Sequence, residues 1–193
     1  MPDVKHFDTA EVLAVVERLF WRRGVAATGI QEIVGATGLS RSSLYSSFGG
    51  KDDLYLAALQ RYLDQRSRPM FDRLAADGRG LPAIADFFER LLRLRCSGEH
   101  AGWGCLVSNA HTEEPSDATR AVLDQHHAGL SAAFAHALEV ARGKEQLRSG
   151  IDLDATAEML TLLAYGVNLR SRSGASRATL RTGVQAALGS LGR

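Results

Sequence analysis

Apolar residues return every three or four positions through most of this chain, in blocks separated by glycine, serine and aspartate, and each block predicts one helix. Leu13, Val16 and Phe20 share a face of the first, with Asp8 as its N-cap, Glu11 in its first turn, Phe7 placed to pack on Val12 and Gly24 as its stop. Thr28 and Gln31 have the spacing of a capping box and predict a second helix from about Gly29, apolar at Ile30, Ile33 and Val34 and ending at Thr37-Gly38, with Leu39 as an apolar peg. Ser40 then caps a third, Arg41 to Phe48, with Leu44 and Phe48 on one face. Gly49-Gly50 break it, and a fourth runs from Lys51-Asp52 to about Arg66, with Pro69 just beyond its end.

The remainder reads as further helices. Asp77-Gly78-Arg79-Gly80 is the clearest loop, and Pro82 opens a helix to about Cys96 with Ile84, Phe87, Phe88, Leu91 and Leu92 inward. A glycine-punctuated turn, Ser97 to Leu106, precedes a short helix to His111 or Glu113. Ser116 or Asp117 starts a long helix to about Arg142, in which Leu123, His127, Leu130, Phe134, Leu138 and Ala141 share the apolar face. Asp152 or Asp154 caps a helix carrying Ala157, Leu160, Ala164 and Val167, and a last helix from about Ser176 carries Leu180, Val184, Ala187 and Leu188. These two closing helices, rich in small residues and broadly apolar, suit a dimer interface of four helices, two from each chain.

The second and third helices, joined by a glycine turn, form a helix-turn-helix. The third is short and leaves Arg41, Ser42, Ser43, Ser46 and Ser47 on its outer faces, an outline that fits the DNA major groove, where Arg pairs with guanine and Ser reaches bases or phosphate oxygens. The run Gly38-Leu39-Ser40, Leu44-Tyr45, Phe48, Lys51, Asp53 and Leu54 resembles the DNA-binding signature of the TetR family of bacterial transcription regulators, over roughly residues 8–60. That resemblance implies an all-α homodimer: a three-helix helix-turn-helix domain in residues 1–50, and a helical ligand-binding and dimerisation domain in residues 51–193. It implies a near-palindromic double-stranded DNA operator and a small-molecule inducer as partners. It places Tyr45, Lys51 and Thr28 at phosphates and Arg41, Ser42, Ser43, Ser46 and Ser47 near base edges. Ser47 departs from the family, which often carries His before the Phe. Gly104-Cys105-Leu106 resembles a turn found in a subset of TetR-like regulators.

Composition adds bounds. A chain of 193 residues, 45% hydrophobic and 23% charged, is long enough for a sizeable core, and a net charge of +1 does not by itself point to nucleic acid. The placement of Arg22, Arg23 and Lys51 at helix ends bears more on phosphate binding than the sum does. Two cysteines make no disulfide framework, Met1 to Lys5 is not followed by the apolar segment of a signal peptide, and no apolar run is long enough to span a membrane, so a cytoplasmic protein is expected.

No phosphate loop, nucleophile elbow or zinc-protease helix is present, which argues against an enzyme and against a cofactor. Five of six histidines lie between His100 and His136, but adjacent His126 and His127 point about 100° apart on a helix, which argues against a metal site. Inward aromatic and polar positions suggest an apolar or aromatic ligand among Phe87, Phe88, Trp103, His111, His127, Phe134 and Tyr165. Trp21 is expected to be partly buried against the fourth helix without a binding role. Two other readings stay open: Cys105 as a redox or electrophile sensor on the same regulator, and a small helical enzyme or carrier using the C-terminal cavity.

Overall fold

Local capping chemistry sets half of the helix starts. In the computed structural model, which describes residues 7–193, α1 (Thr9–Arg23) begins where Asp8 accepts the Ala10 N–H at 2.7 Å. Ser40, Ser116, Asp152 and Ser176 do the same for α3 (Arg41–Phe48), α8 (Asp117–Gly143), α9 (Leu153–Arg172) and α10 (Arg177–Gly189). Each such cap is worth about 1 kcal/mol against alanine. The sequence reading at Met1–Lys5 lies outside the described residues. Between these helices lie α2 (Ile30–Thr37), α4 (Lys51–Tyr62), α5 (Arg68–Ala76), α6 (Leu81–Cys96) and α7 (Leu106–Ala110). The one β contact among the described residues is an isolated bridge, Leu147 to Gly192, that fastens the C-terminus to the α8–α9 connection.

Two expectations fail. Thr28 does not cap α2: Gly29 holds that position, and the fully buried Thr28 hydroxyl donates instead to the Gly24 carbonyl at 2.7 Å, satisfying an acceptor at the end of α1. Nor does the fourth helix stop before Pro69. It passes through a π-helical turn, Leu63–Ser67, in which the Arg68 N–H reaches back five residues to Leu63, and continues as α5 with Pro69 in its first turn. The missing proline N–H costs nothing there, because the turn has already shifted the hydrogen-bond register.

Two apolar clusters follow. Val16, Phe20, Ile33, Leu44, Leu54 and Leu59 join α1–α4, and Leu106, Val107, Ala110 and Leu123 from α7 and α8 close over them. The buried face of α4 therefore belongs with the helix-turn-helix, whereas the sequence division at residue 50 assigns that helix to the larger domain. The second cluster fills the space between α5, α6, α8, α9 and α10, around Phe88, Phe134, Leu138 and Leu160.

Candidate DNA-binding surface and ligand cavity

Gly38 ends α2 with φ +70°, its N–H returning to the Val34 carbonyl at 2.9 Å, and Leu39 packs inward before α3 starts at the next residue. Only Leu44 of α3 is fully buried. Arg41, Ser42, Ser46 and Ser47 are exposed, with the Arg41 guanidinium 5.2 Å from the centre of the half-buried Tyr45 ring. Ser43 is half-buried and its hydroxyl lies 2.8 Å from the Ser40 hydroxyl, so it serves the cap as well as the outer face. Lys51 opens α4, where Asp53 accepts the Gly50 N–H at 2.8 Å. These side chains give α3 and the start of α4 a polar surface open to solvent at Arg41, Ser42, Ser46 and Ser47. Thr28 does not share it: a side chain with no exposed surface and an internal hydrogen bond offers nothing to a phosphate.

The other end of α1 is gripped by the C-terminal half of the chain. The Trp21 indole donates to the Gly104 carbonyl at 3.1 Å, and Asn109 and Arg172 both donate to the Trp21 carbonyl, at 3.2 and 3.1 Å. Arg172 also donates to the Arg22 carbonyl at 3.2 Å, and Glu113 accepts the Val25 and Ala26 N–H groups just beyond the helix. Gly104 has φ +69°, and a Cβ there would stand 3.0 Å from Asn109 Oδ1 and 3.1 Å from the Asn168 carbonyl, so any side chain would be strained and crowded. Deeper in, the buried Glu17 carboxylate pairs with Arg61 at 2.5 Å and with Arg66 at 3.4 Å, tying α1 to α4 and the π-helical turn. Trp21 is thus wholly buried, stacked on His100 at 4.8 Å and edge-on to Tyr62 at 5.0 Å.

Behind Trp21 opens a cavity of about 440 Å³, the size of a small-molecule site. Its walls come from α4, the π-helical turn, α5, α6, α8 and α9, and include Tyr62, Met70, Leu91, Leu130 and Ala164. The floor is polar. Arg95, 8% exposed, donates from Nε to Asn168 Oδ1 at 2.5 Å and from Nη2 to the Tyr62 hydroxyl at 3.2 Å, and that hydroxyl donates to Cys105 Sγ at 3.3 Å. Burial pushes the Tyr62 pKa well above its ordinary value, so the hydroxyl keeps its proton.

Of the ligand residues chosen from sequence, Phe87 borders this cavity, as does Cys105. Phe88 and Phe134 instead stack on each other at 5.7 Å inside the second cluster, because both lie on the fully inward line of their helices. Trp103 packs edge-on against Trp21 at 5.4 Å. His111, exposed, and His127 flank Tyr165 outside the cavity, His127 bonding Glu158 at 3.0 Å. Of the adjacent pair it is His126 that turns inward, held by the Tyr165 hydroxyl at 3.2 Å and bordering the cavity. Burial first, then His111 and His127, lower its pKa to about 4. Trp21, Arg95, Tyr62 and Asn168 were missed. Arg95 had one sequence signal, a charge four residues beyond Leu91 on the inward line of α6.

Comparison with known proteins agrees with this architecture. Residues 12–58, the helix-turn-helix and most of α4, match the family described as bacterial regulatory proteins, tetR family. The chain is 32% identical over 154 residues to the uncharacterized HTH-type transcriptional regulator YezE of Bacillus subtilis, covering 79% of each protein. It is 27% identical over 174 residues to the HTH-type transcriptional repressor ComR of Escherichia coli, covering 89% of this chain and 83% of that one. In fold it follows a cysteine mutant of the TetR family regulator CifR complexed with 26-base-pair operator DNA, with a TM-score of 0.85 at 24% identity over 97% of this chain and 98% of that one. The matched helix-turn-helix and the similarity to YezE along most of both chains establish that this protein belongs to the TetR family of bacterial transcription regulators.

Proposed function

We propose that the protein is a homodimeric repressor that holds a near-palindromic operator with its paired α3 helices and leaves it when a small molecule fills the cavity behind Trp21. The observation that carries this reading is the position of Trp21: one side chain of α1, the helix that braces the reading pair, forms part of the cavity wall. A ligand that favours a cavity shape incompatible with α3 helices about 34 Å apart lowers operator affinity, and operator must lower ligand affinity by the same factor. Met159, Leu162 and Leu169, respectively 39%, 58% and 48% exposed, make an apolar stripe on α9 that a second copy would cover. Arg41, Ser42, Ser46 and Ser47 are assigned to bases, Tyr45 and Lys51 to phosphates.

Retention of genomic fragments by the purified protein at moderate salt, followed by sequencing, tests this. An enriched near-palindrome that is lost with Arg41→Ala and weakened with Tyr45→Phe is expected; no enrichment at any salt rejects the reading. A second trigger on the same regulator is supported by Cys105, whose sulfur borders the cavity beside the Tyr62 hydroxyl. Cys105→Ser would then abolish release by oxidants or electrophiles and leave operator affinity unchanged; release surviving in that variant excludes it.

A further inference from the structure

Among the described residues Arg95 is a buried cation with no carboxylate partner. A guanidinium keeps its charge under all physiological conditions, yet among the described residues its hydrogen-bond partners are the neutral Asn168 amide and Tyr62 hydroxyl, with the Trp21 ring centre 5.9 Å away and the Cys105 thiol beside it. Those two bonds use two of its five N–H donors. Burying a charge this way is heavily disfavoured unless an anion completes the site. In the same wall the His100 Nε2 is buried with no hydrogen-bond partner among the described residues. Arg73 and Arg90 also border the cavity, as do Arg66, which is paired with Glu17, and the exposed acid Glu99, so the balance of charge inside favours an anion.

Away from this floor the cavity turns apolar. Phe87, Leu91 and Arg95 follow one another at intervals of four along α6 and so span about 12 Å of a single helix face. Met70, Phe71 and Leu130 face them from α5 and α8.

We propose that the cavity binds an organic carboxylate, its head group on Arg95 and its apolar body, up to about 12 Å long, along the Phe87–Leu91 face. This rests on the reading of the protein as a ligand-released regulator and names the class of ligand. A cation is repelled from such a floor, and a neutral molecule leaves Arg95 uncompensated. A carboxylate accepts the free guanidinium donors in a charge-assisted pair.

The test uses hexanoate, decanoate and 4-phenylbutyrate, each beside its primary amide, titrated by calorimetry and by the emission of Trp21 and Trp103 in the absence of DNA. At least one acid should bind at least tenfold more tightly than its amide. Arg95→Gln should weaken that acid roughly tenfold to a hundredfold and the amide little, with Arg95→Lys intermediate. Equal affinity of acid and amide, undiminished acid binding in Arg95→Gln, or no binding of any acid at millimolar concentration overturns the proposal. Should Arg95→Gln fail to fold, by circular dichroism and melting, Arg95→Lys and the acid–amide comparison in the native chain decide. Fragment retention by ligand-free protein runs in parallel. DNA binding without acid binding rejects the carboxylate alone, whereas absent DNA binding rejects the regulator reading and leaves the acid result standing.

Discussion

Arg172→Ala should loosen the joint between the two halves of the molecule by a calculable amount. Arg172 is the last residue of α9, and its fork reaches the Trp21 carbonyl at 3.1 Å, the Trp103 carbonyl at 2.9 Å and the Arg22 carbonyl at 3.2 Å. A cation at the end of α1 is worth about 0.3–1 kcal/mol. The hydrogen bonds add about 0.5–1.5 kcal/mol together, taken low because the side chain is exposed and water can replace it at the Arg22 carbonyl. The sum, about 1–2.5 kcal/mol, corresponds to a fall in Tm of roughly 2–10 °C for a chain of this length, measured at fixed protein concentration. Asn109 donates to the same Trp21 and Trp103 carbonyls. Removing both donors should therefore cost more than the sum of the single deletions, since the second deletion strands the acceptors. Arg172→Lys, a single charge without the fork, should recover about half the loss. A Tm within about 1 °C of wild type for Arg172→Ala, or strict additivity with Asn109→Ala, would falsify the account of how α1 is held.

Three further outcomes are expected. Leu162→Glu puts a charge in the middle of the α9 stripe and should convert the dimer to a monomer in light scattering; an unchanged mass rejects that face as the interface. Lys51→Ala should weaken operator binding for all sequences and reduce the slope of log affinity against log salt by about 0.9 per half-site, whereas Arg41→Ala should relax base preference at one position per half-site; an unchanged slope removes Lys51 from the phosphate contacts. His126 carries a pKa lowered from 6.5 to about 4, so between those values the unfolded chain binds the extra proton and stability rises with pH. Stability from this group is complete above about pH 6.5 and falls as pH drops toward 4, by about 3 kcal/mol at most, with His100 and His111 acting in the same direction. Denaturant melts from pH 4 to 7 should show this slope, and His126→Gln should flatten it.

The parts legible in the sequence are those governed by neighbours a few residues apart. Asp8, Ser40, Ser116, Asp152 and Ser176 cap helices because a short polar side chain meets its own first-turn N–H groups, and the Gly38 turn needs only a left-handed glycine. Local rules misled where tertiary contacts compete. Thr28 had the spacing of a cap, but its hydroxyl is captured by the end of α1. His126 and His127 are adjacent on a helix, so a shift of the apolar face by one position, about 100°, exchanges their roles. The cavity was the least legible part, because its wall joins Trp21, Tyr62, Arg95, Cys105 and Asn168 from distant segments that no periodicity connects.

The π-helical turn before Pro69 also works as a register setting. It holds one residue more than an α-helical path of the same hydrogen-bond span, so the residues after it are turned about 100° from where an unbroken helix would carry them. Met70, Phe71 and Arg73 owe their places around the cavity to that offset. Deleting one residue such as Gln65 would remove the surplus and straighten the helix with those three side chains still on the cavity, whereas straightening it at full length would swing them off by about 100°. The turn thus absorbs a single-codon difference in length, leaving both the cavity wall beyond it and the reading helix in place.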